Sequence, residues 1–285
     1  MSAWQRSRHA CAAAALVASG WLGSVGAGAQ AQPQPPAAPA PAQGSAAAGN
    51  PRELRVMTFN IHHAEGVDGV LDVARIAALI REAQADVVGL QEVDRGAERT
   101  GRRDLLEEIA NLAGMRFVFG KNIDLQGGDY GNALLTSRPI VSEGNKRLPT
   151  IDGGEQRGVL QVVLDVAGTR VLVLTTHLDH RRADPQRVAS ADAIAATIQA
   201  WGDGPVVTMG DFNDVPGSAT HTKLSGLLID VWAAVGQGDG FTIPIEAPTR
   251  RIDWILVRGL EPVRADVVTT KASDHLPVVA SLRLK

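Results

Sequence analysis

Cysteine is nearly absent, since Cys11 is the only one in 285 residues. It stands in the first segment, so the rest of the chain has no disulfide framework and no thiolate set for zinc. Tyrosine occurs once, at Tyr130. No long basic or aromatic insertion offers a grip on nucleic acid, and no apolar hairpin offers entry to a bilayer. An excess of positive charge is missing too. The formal net charge is −3; without the first 50 residues, which carry Arg6 and Arg8 and no acid, 26 basic side chains face 31 acidic ones, a net of −5. That argues against tight, nonspecific binding to long nucleic acid, which needs a strong positive field. A nuclease is not excluded, because a metal ion supplies positive charge locally.

The first 50 residues do not read as domain. Arg6 and Arg8 lead into an Ala-rich apolar run, and small residues follow at Ala27-Gly28-Ala29 and Ala29-Gln30-Ala31. This is the layout of a secretory signal peptide, here 1–31. A membrane anchor is the alternative, but the run is rich in Ala and Gly and short of the roughly 20 strongly apolar residues a span needs. Residues 32–51 are Pro, Ala, Gln, Gly and Ser apart from Asn50, a linker that can fill no core. Residues 52–285 then form one domain of ordinary size, exported to the periplasm or secreted, monomeric, with no membrane span once the signal is removed.

The apolar pattern predicts a series of strands that end in polar groups. Leu54 to Ile61 alternates and carries Asn60 near its end, where Asn60 also suits a plain turn. His62 and His63 follow; without a Cys/His set elsewhere they read as loop histidines rather than a zinc centre. Val73, Ile76, Ala77 and Ile80 recur at helical spacing. Asp86 to Leu90 is a continuous apolar strand ending in Gln91-Glu92, and the strand–helix–strand order suggests parallel pairing, with Asn60 and Glu92 at one end. Arg95, Arg99, Arg102 and Arg103 form either a solvated charge run or a phosphate-steering rim. A helix over 103–113 and a strand over 115–120 follow, then a Gly-started strand and turn over Tyr130–Ile140. Gly158 to Val166 and Arg170 to Thr176 predict a hairpin with Gly168-Thr169 in its turn. Its second strand ends at His177. After a helix over 185–200, Val206 to Met209 breaks at Gly210 and delivers Asp211 and Asn213. Two apart in extended chain, these point the same way. Short helices and loops fill 218–235. Asp253 interrupts the apolar run Arg251–Val257, which is costly unless it is paired. Ser273-Asp274-His275 precedes a last strand.

Six segments thus bring acids, amides and histidines to strand ends. Each alone suits a turn or a satisfied polar terminus; the repetition does not. Carboxylate and amide oxygens without cysteine favour Mg²⁺, with Mn²⁺ or Ca²⁺ as alternatives.

Met57-Thr58-Phe59-Asn60-Ile61, Gly89-Leu90-Gln91-Glu92-Val93, Thr176-His177-Leu178, Gly210-Asp211-Phe212-Asn213, Arg251-Ile252-Asp253-Trp254 and Ser273-Asp274-His275 together resemble the motif series of the endonuclease/exonuclease/phosphatase superfamily, in its order and over about 53–284. The resemblance implies a four-layer α/β/β/α sandwich of two mixed, mostly antiparallel sheets with the site at one end. It implies Glu92 as the principal Mg²⁺ ligand with Asn60 and Asp274 near the metal. It places Asp211 and Asn213 at the attacking water and the phosphate, or at a second ion. His177 and His275 would flank the phosphate, and Asp253 would fix the His275 tautomer. Arg157 resembles a family arginine near the phosphate, and Tyr130 with Asn132 resembles a Tyr-Gly-Asn-Ala segment of bacterial members. The implied activity is metal-dependent phosphodiester hydrolysis. Nucleic acid or a smaller phosphodiester would be the substrate, with phosphomonoesters or a lipid phosphodiester as the alternative. A non-catalytic metal- or phosphate-binding protein is the rival of another class.

Overall fold

In a computed structural model, which describes residues 52–285, the apolar runs become two six-stranded sheets. The signal-peptide and linker segments lie outside the described residues, all of which fall in one unit, Ala46–Lys285. Among the described residues no helix is long and apolar enough to cross a membrane.

The first sheet holds β1 (Glu53–Asn60), β2 (Val87–Arg95), β3 (Arg116–Leu125), β4 (Gly128–Thr136), β11 (Leu260–Val267) and β12 (Val278–Leu284), in the order β11-β12-β1-β2-β4-β3. The second holds β5 (Ile140–Arg147), β6 (Gly158–Val166), β7 (Thr169–His177), β8 (Val206–Asp211), β9 (Ile229–Asp230) and β10 (Asp253–Arg258), in the order β5-β6-β7-β8-β10-β9. Each sheet contains one parallel pair, β1–β2 and β7–β8, and is otherwise antiparallel. Parallel neighbours need a crossover. Helix α1 (Val73–Glu82) supplies one and α3 (Pro185–Ala200) the other.

The layering explains why the central strands read as continuous apolar runs. Along β10, Ile255 and Val257 join one cluster with Val56 of β1 and Val162 of β6, while Trp254 and Leu256 join another with Ile194 and Ile198 of α3. Along β1, Leu54 and Val56 face the other sheet, whereas Met57 and Phe59 pack with Ile76 and Ile80 of α1 and with Leu106 and Ile109 of α2 (Leu105–Ala113). A strand buried on both faces has no polar side to alternate with. The result is helices, sheet, sheet, helices.

Three strands escape the sequence reading, β5, β11 and the two-residue β9 inside the 218–235 stretch, and all are edges. β5 is exposed along nearly all its length, so no apolar period marks it. β11 contains Pro262 and shifts register between Pro262 and Arg264, as a proline on an edge strand allows. The hairpin turn is also one residue earlier than expected. Val166 pairs with Thr169, leaving Ala167 (φ 53°) and Gly168 (φ 83°) as its two central residues.

Candidate active site

The C-terminal ends of the two parallel pairs meet at one end of the sandwich. In the first sheet Asn60 pairs with Gln91. The next residue, Glu92, sits in a bulge: the β2–β4 register shifts between Leu90 and Val93, and Glu92 has φ 57°. Leu90 and Val93 both pack on the helix side although they are three apart. The extra residue breaks the period of two and re-aims Glu92, as bulges do. Behind it, Thr58 Oγ1 donates to Gln91 Oε1 at 3.3 Å and Gln91 Nε2 donates to Thr175 Oγ1 at 3.0 Å, tying the sheets together.

In the second sheet His177, Asp211 and Asp253 lie side by side, since Asp211 is in register with both of the others. Gly210 allows this approach. Its φ is 150°, and a side chain there would stand 2.0 Å from the Thr176 carbonyl oxygen. The two sheets are joined at Asn60, whose Nδ2 donates to Glu92 Oε1 and to Asp211 Oδ2, each at 3.0 Å. Its Oδ1 accepts from the His62 N–H at 3.1 Å. Asn60 therefore meets Glu92 with its nitrogen in this arrangement. Ser273 Oγ donates to the Asn60 carbonyl at 2.7 Å, which brings the Ser273–His275 loop to the same place.

Asp211 is the hub. Its Oδ2 is 3.5 Å from His177 Nε2 and 3.7 Å from His275 Nε2, and its Oδ1 accepts from the Asn213 N–H at 2.9 Å. Burial, with Asp253 nearby, raises its carboxyl to about 7 against the pull of His275 and Asn60. His275 Nδ1 donates to Asp253 Oδ2 at 2.9 Å, which fixes the ring. Burial opposes a charge on His275, but Asp253 and Asp211 overcome it and raise the ring to about 10. Burial, then Arg157 and His275, hold His177 well below the ordinary histidine range. One histidine is therefore charged and the other neutral. Buried Asp253 Oδ1 and His177 Nδ1 have no partner.

The structure corrects one local expectation. β8 ends at Asp211 and Asn213 is left-handed (φ 50°), so the two do not share the face of an extended strand. Asn213 Nδ2 donates to the Leu178 carbonyl at 3.1 Å instead. Asp274 accepts from Ser273 Oγ at 3.3 Å, and its carboxylate belongs to neither compact donor group, His62–His63–Glu92 or Asp211–Asp253–His275.

On β4, Tyr130 is buried and its ring lies 5.7 Å from the Arg99 guanidinium. Burial and the Glu92 charge push its hydroxyl up, while Arg157 acts against them. Arg157 is itself buried, with Nη2 3.3 Å from His180 Nδ1. Its Nη1 is ion-paired with Glu155 Oε1 at 3.0 Å, and its buried Nε has no hydrogen-bond partner. Asn132 Nδ2 donates to the Gly158 carbonyl at 3.1 Å and its Oδ1 has no partner. In the Arg-rich loop, Arg99 is paired with Asp94, Arg95 with Asp104 and Arg103 with Glu108.

Three residues near the site escaped the sequence reading. Gln91 and Thr175 stand among the polar residues at strand ends, and nothing in the sequence says that they meet each other across the sheets. His180 sits in a loop, and no spacing marks it.

The carboxylates suit a divalent ion. Among the described residues no lysine or arginine is within ion-pair distance of Glu92, and the half-buried Glu92 shares the Asn60 amide with buried Asp211. Oxygen donors of that kind fit Mg²⁺ or Mn²⁺.

The sequence profile of the Endonuclease/Exonuclease/phosphatase family matches residues 57–275. The uncharacterized protein YbhP of Escherichia coli strain K12 is 29% identical over 247 residues, covering 81% of this chain and 96% of its own. A crystal structure of an endonuclease/exonuclease/phosphatase from Beutenbergia cavernae is 28% identical with a TM-score of 0.69, over 82% of this chain and 72% of that one. A mannosyl-6-phosphatase from Bacteroides thetaiotaomicron, Bt3783, has the same TM-score at 20% identity, over 80% of this chain and 99% of that one, a likeness of fold.

Proposed function

The chain belongs to the endonuclease/exonuclease/phosphatase family, whose members are typically phosphoester hydrolases. On that premise we propose that it is an exported, Mg²⁺-dependent phosphoesterase that hydrolyses phosphodiester bonds. The observation that carries this reading is one cluster. Asn60, Glu92, His177, Asp211, Asp253 and His275, from two sheets, converge through hydrogen bonds and close contacts around Asp211.

Glu92 would hold the ion, with Asn60 orienting its carboxylate and Asp274 near by. The ion would offset charge on the phosphoryl and leaving oxygens. The chain's own groups do the rest. Asp211, with its carboxyl near neutrality, takes the proton of the attacking water through Oδ2. His275, charged and steered by Asp253, donates from Nε2 to a phosphoryl oxygen. Neutral His177 flanks the phosphate from the other side of Asp211. Asn213 positions water beside Asp211. Arg157, ion-paired with Glu155 and with its buried Nε bare, offers its guanidinium to an anionic group, with Tyr130 and Asn132 beside it. Export rests on the leader sequence alone, and a monomeric state on the size of the domain.

The test is a substrate panel with and without EDTA: plasmid DNA, RNA, bis-p-nitrophenyl phosphate, p-nitrophenyl phosphate, sphingomyelin and inositol phosphates. Turnover of a diester that EDTA abolishes and Mg²⁺ restores is expected. Turnover of p-nitrophenyl phosphate alone would move the assignment to a phosphomonoesterase, the chemistry in the name of the Bacteroides neighbour. No turnover with metal still bound would leave a binding protein.

A further inference from the structure

His62 and His63 have no part in the mechanism above, yet the chain holds them at a cost. His62, His63 and Ala64 form one short turn with φ of 44°, 44° and 62°, and Glu92 has φ 57°. None of the four is glycine, and left-handed backbone costs an L-residue up to roughly 1–2 kcal/mol, less for histidine, which visits it more often than most. Strain of this kind persists where the surroundings enforce it, and it concentrates at functional sites.

The strained residues converge. One ring nitrogen from each histidine and one Glu92 carboxylate oxygen lie within 4.8 Å of one another. Each ring also has one nitrogen engaged and one bare. His62 Nδ1 donates to the Glu65 carbonyl at 3.2 Å, which leaves Nε2 with its lone pair. His63 Nε2 lies 3.5 Å from Glu65 Oε2, and its buried Nδ1 has no partner. A histidine that gives one N–H to a carbonyl or carboxylate and keeps its other nitrogen bare is set up to ligate a metal.

We propose that His62, His63 and Glu92 form a binding site for a first-row transition ion of the Mn²⁺-to-Zn²⁺ class, on the histidine side of Glu92. Two imidazoles and a carboxylate match the donors such ions take, whereas Mg²⁺ and Ca²⁺ favour oxygen alone. With bonds of about 2.0–2.1 Å the ion would draw the three donors closer together. Because Glu92 is shared, this site rests on the hydrolytic reading for its carboxylate, and the two histidines would make the protein prefer a softer ion than oxygen donors alone would.

The test uses the full chain stripped of metal, dialysed against Mg²⁺, Mn²⁺, Co²⁺ or Zn²⁺, with bound metal counted by mass spectrometry and Co²⁺ followed by its visible absorption. His62→Asn and His63→Asn are the variants, because asparagine tolerates left-handed backbone; thermal melts check that both fold. Each is expected to weaken Co²⁺ and Zn²⁺ binding by about tenfold or more and to change the Co²⁺ spectrum, while Mg²⁺ binding holds. Unchanged Co²⁺ affinity and spectrum in both folded variants overturns the site. Glu92→Gln separates the two claims. If it abolishes Mg²⁺ binding while the histidine variants change nothing, the hydrolytic reading stands and this one fails. If it leaves Co²⁺ and Mg²⁺ binding intact, Glu92 is a ligand in neither.

Discussion

Two buried clusters of acid and histidine hang on the same strand, β10, and they are built to opposite ends. Asp253 starts β10 and holds His275 at 2.9 Å. Asp230, paired across from Leu256 of β10, holds His221 of α4 (Ala219–Ser225) at 3.0 Å. The pairs look alike until every polar atom is counted. Asp230 takes both Arg251 nitrogens, at 3.0 and 2.8 Å, and caps α5 (Val231–Val235) by accepting from the Trp232 and Ala233 N–H groups. His221 Nδ1 accepts from the Gly217 N–H at 3.3 Å. Burial would raise Asp230, but His221 and Arg251 hold its carboxyl far below the usual range. At the other cluster, Asp253 Oδ1 and His177 Nδ1 are buried and unpartnered, and Asp211 is raised rather than lowered. Saturated valences make a brace. Open valences in a buried place cost free energy that a bound water, a ligand or a reaction can recover.

The largest effect expected from breaking this contrast is on turnover. His275→Ala and His177→Ala should each lower kcat by about 10²–10⁴-fold with normal melting, while His221→Ala keeps kcat. Steady-state kinetics on the best substrate of the panel checks this, and full turnover in either site variant would remove that histidine from the mechanism.

The brace should fail in stability instead. Asp230→Ala leaves Arg251 buried and uncompensated and uncaps α5, so it should cost about 3–5 kcal/mol, read by denaturant unfolding, with kcat per folded molecule unchanged. The wild-type contribution is present above the unfolded carboxyl value of 3.8 and persists well below it, because the folded value is depressed.

Asp253→Asn sits between the two. It should lower kcat by roughly 100-fold, because the wrong tautomer of His275 is no longer excluded. Its pH signature is distinct. His275 is raised from 6.5 to about 10, so its share of stability is full below 6.5 and lost as pH rises through about 10. Removing Asp253 moves that loss to lower pH, which ring NMR and melts across the alkaline range would follow. An unshifted His275 titration would mean that Asp253 does not set its charge.

The smallest effect comes from outside both clusters. Ala167 stands at φ 53° in the β6–β7 turn, so Ala167→Gly should stabilise by up to about 1 kcal/mol and leave kcat alone.

How much of this was legible beforehand depends on what each residue's neighbours in sequence reveal. The central strands were legible because runs such as Val206–Met209 and Ile255–Val257 are mostly apolar and punctuated by helices of the right length; the sandwich they build was implied by the resemblance of the motif series. The edges β5 and β11 were not, because an edge strand needs no buried face. Asn60, Glu92, His177, Asp211, Asp253 and His275 were legible as strand-end polar groups in a recognisable order. Arg251 stood inside one of the quoted motifs, yet nothing in the sequence said that it braces Asp230 twenty-one positions away.

The sequence by itself determined the central strands and which chemical groups arrive at their ends, since both follow from local periodicity and residue type. Only the tertiary structure decided what those groups became. The bulge at Glu92, the left-handed turn at His62 and His63, and the approach of β7 to β8 at Gly210 set distances of a few ångströms between residues far apart in the chain. At such distances burial and neighbouring charge, which no local pattern encodes, leave His275 charged, His177 neutral and Asp211 poised between.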